Sequence, residues 1–253
     1  MDHTKQNYRN KKLSVVIPAF NEERRLPATL ERICRYFEDK DYLYEIVVVD
    51  DGSTDNTATC VSDYATKFES TRLVRNGVNR GKGYSVKNGF LQATGDYLLF
   101  SDADLSTPIE EIEKLLNYLR EGYDVAIGSR ALKESDIQVH QPWYREMMGK
   151  IFNILVRVLS IRGFKDTQCG FKCFTREAAM KVCRRQRLER FSFDVEMLYI
   201  AKKLGYKVKE VPVRWLNESE TKVRAVRDSA NMFFDLLRIR LNGIEKKYEC
   251  NER

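Results

Sequence analysis

At 253 residues the chain has the length of one large domain, and 43% hydrophobic with 32% charged residues is the composition of a folded globular protein. Lysine and arginine number 44 against 37 acidic residues, and the formal charge of +7 points to an anionic partner. No apolar run reaches the ~18 residues of a membrane-spanning helix, and the polar stretch Met1 to Lys12 lacks the apolar core of a signal peptide.

Leu13 to Pro18 is a β-branched run that predicts a buried strand stopped by proline, followed by the loop Ala19-Phe-Asn-Glu-Glu-Arg24. Leu26, Leu30, Ile33 and Phe37 recur at helical spacing behind Pro27, a residue suited to a first helical turn. Glu45 to Asp50 predicts a second strand with an acidic tip. Asp51-Gly-Ser-Thr-Asp55 turns the chain, with Ser53 or Thr54 placed to cap a helix that buries Ala58, Val61, Ala65 and Phe68. Thr71 to Arg75 reads as a third strand, and Asn79-Arg-Gly-Lys-Gly83 opens a helix through Val86, Phe90 and Ala93. Tyr97 to Phe100 is an apolar run ending in Asp102-x-Asp104. Thr107-Pro-Ile-Glu110 then has the pattern of a capping box before a helix carrying Ile112, Leu115, Leu116 and Leu119. Tyr123 to Gly128 predicts a further strand. Strands alternating with helices in this way give a doubly wound, mostly parallel α/β sheet over residues 12–130.

The second half, 131–253, is less regular. Helices are expected over Trp143 to Arg162, over Glu177 to Arg187 and after Phe191-Ser-Phe-Asp194, with an edge strand at Lys207 to Val213 that contains Pro212. An amphipathic tail carries Met232, Phe233, Leu236, Leu237 and Leu241. Without a repeat or a low-complexity linker, 1–253 reads as one folded unit.

Chemistry concentrates at strand ends, where open α/β sheets bind ligands. Asp102 and Asp104 suit a hard divalent cation shared with phosphate. Asp50 is placed to accept from a base or ribose. Gly81 and Gly83 are expected to let backbone approach a ligand at a helix N-terminus that favours phosphate, with Lys82 as a point charge. Neither a Walker A loop nor a G-x-G-x-x-G fingerprint is present. Six cysteines (Cys34, Cys60, Cys169, Cys173, Cys183 and Cys250) form no CxxC pair and read as reduced thiols. With His3 and His140 as the only histidines, zinc binding at Cys169 and Cys173 and histidine-based nucleophilic catalysis are both disfavoured. The basic residues are not interleaved with an aromatic stacking platform, so nucleic acid is not an expected partner.

Val16-Ile-Pro-Ala-Phe-Asn-Glu22, Val49-Asp-Asp-Gly-Ser-Thr-Asp55, Asn79-Arg-Gly-Lys-Gly83 and Ser101-Asp-Ala-Asp-Leu105, in that order, resemble the family 2 glycosyltransferases of GT-A fold. Gly128-Ser-Arg130, Asp166-Thr-Gln-Cys-Gly-Phe-Lys172, Phe191-Ser-Phe-Asp194 and Val211-Pro-Val-Arg-Trp215, followed by Ser219 and Lys222, extend the resemblance to the dolichyl-phosphate β-glucosyltransferases and polyprenyl-phosphate relatives. Eukaryotic members carry an N-terminal membrane helix, and Met1 to Lys12 does not read as one.

The resemblance implies a nucleotide-sugar site of Pro18, Ala19, Phe20, Glu22, Asp50, Asp51, Lys82, Asp102 and Ala103, with Asp102 and Asp104 toward Mg²⁺ or Mn²⁺. It implies inverting transfer of a hexose, glucose from UDP-glucose above others, to a polyprenyl monophosphate. Arg130, Lys172 and Lys222 would meet the acceptor phosphate, and Asp104, Arg130 and Asp194 would be the catalytic set. Asp194 reads either as a base or orienting group or as a helix cap. Gln168 either binds sugar or packs in its loop. The basic amphipathic segment Trp143 to Phe164, and the tail, are expected to rest on an anionic membrane from its cytoplasmic side. An apolar face of this kind also leaves a homo-oligomer open. A family 2 transferase using GDP-mannose or a non-lipid acceptor is the alternative enzyme, and an inactive sugar-nucleotide-binding module is the alternative of another class.

Overall fold

Alternating strand side chains build two cores on opposite faces of one sheet. The computed structural model describes residues 11–40, 42–139, 143–216 and 225–249. Its strands are β1 (Leu13–Ala19), β2 (Tyr44–Asp50), β3 (Thr71–Arg75), β4 (Tyr97–Ser101), β5 (Val125–Ser129), β6 (Asp136–Ile137), β7 (Phe171–Thr175), β8 (Val208–Pro212) and β9 (Arg214–Trp215). The helices are α1 (Leu26–Glu38), α2 (Thr57–Lys67), α3 (Lys82–Gln92), α4 (Ile112–Arg120), α5 (Trp143–Leu159), α6 (Arg176–Arg185), α7 (Phe193–Lys203) and α8 (Ala225–Ile244). Seven strands pair in the order β3-β2-β1-β4-β7-β5-β8, while β6 and β9 form a separate two-stranded ribbon.

Val16, Val47, Val49, Leu98 and Phe100 face α3, α6, α7 and α8. Val15, Ile17, Ile46, Val48 and Leu99, one residue out of phase, face α1 and α4. Pairing is parallel except at β7, which runs antiparallel between β4 and β5. The insertion is what the sequence did not announce: β7 brings the loop 166–170 beside the carboxyl end of β4. As expected, β8 with Pro212 is an edge strand. Pro18 does not stop β1, which runs to Ala19; pairing with β4 has already ended at Val16 opposite Phe100, so no ladder bond is lost there.

Three local expectations are corrected. Ser53 and Thr54 do not cap α2. The Asn21 amide donates to Ser53 Oγ (2.9 Å) and the Thr54 amide to Asn21 Oδ1 (2.8 Å), so they tie the first two loops together instead. Residue 56 precedes the helix, and only Thr57 and Val61 of α2 are buried, so the expected set with Ala58, Ala65 and Phe68 is thinner. The capping box at Thr107–Glu110 is absent too: a 3₁₀ turn, Ile109–Glu111, follows Pro108 without a side-chain cap and leads into α4.

α5 and α8 pack together, with Ser160 Oγ donating to the Leu236 carbonyl at 3.3 Å. Val156, Leu236 and Ile239 enter the core. Met147, Ile151, Ile154 and Val158 on α5, and Phe234, Leu237, Leu241 and Ile244 on α8, face outward, Val158 being 64% and Ile244 68% exposed. Each set repeats at three- and four-residue steps, so each is a continuous apolar stripe. No helix among the described residues is long and apolar enough to cross a membrane.

Candidate active site

β1, β2 and β4 end at Ala19, Asp50 and Ser101, with Ala19 opposite Asp50 in the register, and the loops leaving these carboxyl ends form the site. Asp102 and Asp104 leave β4 together. Asp102 Oδ1 stands 2.5 Å from Lys82 Nζ, a contact of charges and not an aligned hydrogen bond. Lys82 is the first residue of α3, and its ammonium also lies 5.1 Å from the centre of the Phe100 ring. Burial draws the Lys82 pKa down, but Asp102, Asp194 and Asp104 outweigh it and leave it raised. Asp104 Oδ1 accepts from the Ser106 amide at 2.9 Å. Burial, and then the charge of Asp102, hold the Asp104 carboxyl above its ordinary value.

The charge of Asp102 works against that of Asp104, a hard cation relieves such a pair, and carboxylate oxygens are the ligands Mg²⁺ and Mn²⁺ take. Among the described residues no group of three or more acidic, cysteine or histidine side chains converges. The two aspartates therefore fit an ion whose remaining positions are filled by phosphate oxygens and water.

Gly170, whose importance the sequence reading missed, sets the position of Asp102. Its carbonyl accepts from the Asp102 amide at 3.1 Å, and a Cβ at residue 170 would stand 2.0 Å from Asp102 Oδ2. Only a local motif, Cys169-Gly-Phe171 just ahead of a strand, hinted at it. The same loop carries Asp166, which is 2% exposed and receives the Arg130 amide (3.0 Å), Nε (2.6 Å) and Nη2 (2.9 Å). Arg130 thus spends one edge of its fork on Asp166 and lies over the Trp215 ring at 5.5 Å, while Nη1 makes no hydrogen bond to the described residues. Burial works against the Asp166 charge, yet Arg130 prevails and holds its pKa down to about 2.

Several expected ligands prove to be internal supports. Lys172 is 0% exposed; its ammonium pairs with Asp194 and donates to the Cys169 carbonyl at 2.5 Å, so it lies beneath the loop and not on an acceptor surface. Asp194, 5% exposed, sits inside the first turn of α7 behind Ser192 and is not its cap. Burial pushes its pKa up against the pull of Lys172 and Lys82. Asp51 is buried with its oxygens on the Asn76 side chain (2.7 Å), the Arg80 amide (3.0 Å) and the Gly81 amide (2.7 Å), so it shapes the loop before Lys82. Gly81 and Gly83 do not open the backbone to a ligand. Gly81 has φ 107°, and Cβ atoms at the two positions would meet the Glu189 carbonyl at 2.5 Å and Phe193 Cβ at 2.6 Å, so the glycines admit protein.

Asp50 accepts from the Ser53 amide at 3.0 Å and lies 3.7 Å from Arg75 Nε, at the inner end of the site. Pro18 and Phe20 are half-buried around Ala19. Glu22 holds Arg25 through Nε at 2.8 Å, and Ala103 is buried with its carbonyl on Thr29 Oγ1 at 2.6 Å. The Gln168 amide donates to Asp166 Oδ1 at 3.1 Å. Lys222 and Ser219 lie outside the described residues.

The arrangement has the elements for binding a nucleoside diphosphate: an acidic pair, a lysine on a helix N-terminus and an arginine beside them. Comparison with known proteins agrees. Residues 14–186 match the profile "Glycosyl transferase family 2". The dolichyl-phosphate β-glucosyltransferase of Homo sapiens is 38% identical over 244 residues, 91% of this chain and 75% of the relative. That of Saccharomyces cerevisiae is 35% identical over 259 residues, 95% and 78% of the two chains. Among solved structures, mannosyl-3-phosphoglycerate synthase from Rubrobacter xylanophilus superposes with a TM-score of 0.70 at 19% identity, covering 98% of this chain and 78% of that one. Glucosyl-3-phosphoglycerate synthase from Mycobacterium tuberculosis, solved with Mn²⁺ and UDP-glucose, has a TM-score of 0.70 at 17% identity and coverages of 94% and 81%. The fold is that of these GT-A enzymes, and the chain belongs to glycosyl transferase family 2, in the branch of the dolichyl-phosphate β-glucosyltransferases.

Proposed function

We propose that this glycosyltransferase moves glucose from UDP-glucose to a polyprenyl monophosphate, giving a β-linked lipid-phosphate sugar. The observation that carries the reading is the extent of the likeness: relatives bearing the dolichyl-phosphate β-glucosyltransferase name align over both halves of the chain, the Arg130, Asp166 and Asp194 region included. Asp50 and the Pro18–Glu22 loop are assigned the nucleoside, and Lys82 and Asp102 the diphosphate side. Asp104 and Asp102 are assigned a divalent cation, which when bound would neutralise charge on the departing UDP.

In a single displacement an acceptor phosphate oxygen forms the bond to the anomeric carbon. The bond to UDP breaks with its electron pair, and α becomes β. A phosphate is already anionic at neutral pH, so no strong base is needed and positioning dominates. That fits an Asp194 committed to Lys172 as an orienting group: it holds the lysine that holds the 166–170 loop. Arg130, with Nη1 turned away from Asp166, is assigned the acceptor phosphate.

The apolar stripes of α5 and α8, flanked by Arg157, Arg162, Arg238 and Arg240, are assigned to the surface of an anionic membrane on its cytoplasmic side. The test is Arg130→Gln, which keeps a hydrogen-bond donor for buried Asp166. Transfer to a short polyprenyl phosphate should fall about 100-fold while UDP binding is retained, the loss expected from a misplaced acceptor. Undiminished lipid transfer would overturn the assignment of Arg130. Turnover with a soluble phosphorylated acceptor alone would overturn the lipid reading.

A further inference from the structure

The loop that presents Lys82 rests against residues 186–193, and a buried acid more than a hundred residues along the chain fixes that wall. Gln186 Nε2 donates to the carbonyls of Gly83 and Leu188, both at 2.9 Å, and Lys87 Nζ donates to the Gln186 carbonyl at 2.8 Å. The Tyr84 amide donates to the Glu189 carbonyl at 3.0 Å, and Arg80 pairs with Glu189 at 2.6 Å. With residue 81 and the Glu189 carbonyl too close to admit a Cβ, the two backbones touch and must move together.

Amides of such an irregular segment need partners where they leave water, Leu188 being buried and the Arg187 amide partly so. Those of Arg187 (3.0 Å) and Leu188 (2.8 Å) donate to Glu196 Oε2. Glu196 is 0% exposed and its Oε1 takes the Tyr248 hydroxyl at 2.7 Å. Tyr248, just beyond α8, is buried as well. Its hydroxyl also accepts from Asn242 Nδ2 at 3.3 Å, and its carbonyl accepts from Arg185 Nε at 2.9 Å. No cation pairs with Glu196 among the described residues. A buried carboxylate of this kind is costly unless its hydrogen bonds do something an apolar residue cannot. Here they hold two loop amides and the end of α8.

We propose that Glu196, together with Tyr248, is a positioning residue for the donor side of the reaction. The pair sets residues 186–190, these set the Gly81–Gly83 backbone, and that backbone sets Lys82 against Asp102. The proposal rests on the function proposed above only for the identity of the donor. It also ties the end of α8, the helix with the exposed apolar stripe, to the loop that carries Lys82.

The test compares Glu196→Ala, Glu196→Gln and Tyr248→Phe in the full chain. Glutamine keeps an oxygen for both loop amides and serves as the conservative control. In ligand-free protein, Glu196→Ala should speed hydrogen exchange of the Tyr84 amide about tenfold, the effect of one buried hydrogen bond. KM for UDP-glucose should rise by about the same factor, with kcat and the acceptor KM unchanged within about twofold. Glu196→Gln should stay near wild type and Tyr248→Phe should fall between; the latter decides the matter if Glu196→Ala does not fold. Faster exchange confined to 186–196 with Tyr84 unaffected would overturn the proposal, as would a fall in kcat at constant donor KM. Because the exchange measurement uses no substrate, a wild-type protein that ignores UDP-glucose would remove the donor assignment while Tyr84 still tested the positioning.

Discussion

Replacing Gly170 by alanine perturbs the site without touching a charged residue. The new Cβ would stand 2.0 Å from Asp102 Oδ2, 2.4 Å from its Cγ and 2.7 Å from Oδ1. Residue 170 cannot simply retreat, because its carbonyl holds the Asp102 amide at 3.1 Å and Phe171 begins β7 between two other strands. The carboxylate must therefore move by more than about 1 Å to reach ordinary contact, and the 2.5 Å approach to Lys82 is lost with it. Overpacking of this size costs roughly 1–3 kcal/mol of stability, and a 1 Å error in a positioned group costs about 100-fold in rate. The assay is kcat/KM for glucose transfer beside a thermal midpoint. A loss near 100-fold in a protein that melts only a few degrees lower is the expected result. Wild-type kcat/KM would refute the claim that Gly170 sets Asp102.

Two further predictions concern pH and the apolar stripes. Asp166 and Glu45 both have pKa values brought down to about 2, Asp166 by Arg130 and Glu45 by bonds from Ser14, Thr94 and Arg72 that outweigh its burial. A carboxylate whose folded value lies below its unfolded one stabilises fully above the unfolded value and loses that contribution as pH falls through the folded one. Stability should accordingly decline between about pH 4.5 and 2, against an opposite trend from Asp194 and Glu196, whose values burial raises. Asp166→Asn should flatten the profile of thermal midpoint against pH, and an unchanged slope would count against it. Val158→Asp combined with Ile244→Asp should abolish sedimentation with vesicles containing an anionic lipid at an unchanged melting temperature, since both side chains face outward. Retained vesicle binding would direct attention to another surface.

The first half of the chain was readable because its local signals agree. β-branched runs, helical periodicity and acidic strand tips all demand parallel βαβ units, and β1 to β5 formed close to where the residues placed them. The acidic pair at Asp102 and Asp104 and the cation at Lys82 were legible for the same reason: each lies within a few residues of a strand end. What escaped depends on partners distant in sequence. Nothing near Gly81 or Gly83 says that the Glu189 carbonyl and Phe193 fill the space beside them. A lysine in the middle of β7 reads as a surface cation until the sheet order puts that strand in the interior, where Lys172 must pair with Asp194. Gly170 and Glu196 were silent because their roles lie in contacts with Asp102 and with loop amides, not in a pattern along the chain.

Transfer from a panel of UDP- and GDP-sugars to a short polyprenyl phosphate tests the central claim most directly, run with Mn²⁺, with EDTA and with Asp104→Ala. The account predicts a β-linked glucosyl lipid phosphate from UDP-glucose in the presence of metal, and none with EDTA or the variant. Turnover undiminished by EDTA, product from a different donor alone, or nucleotide binding without any lipid product would contradict it.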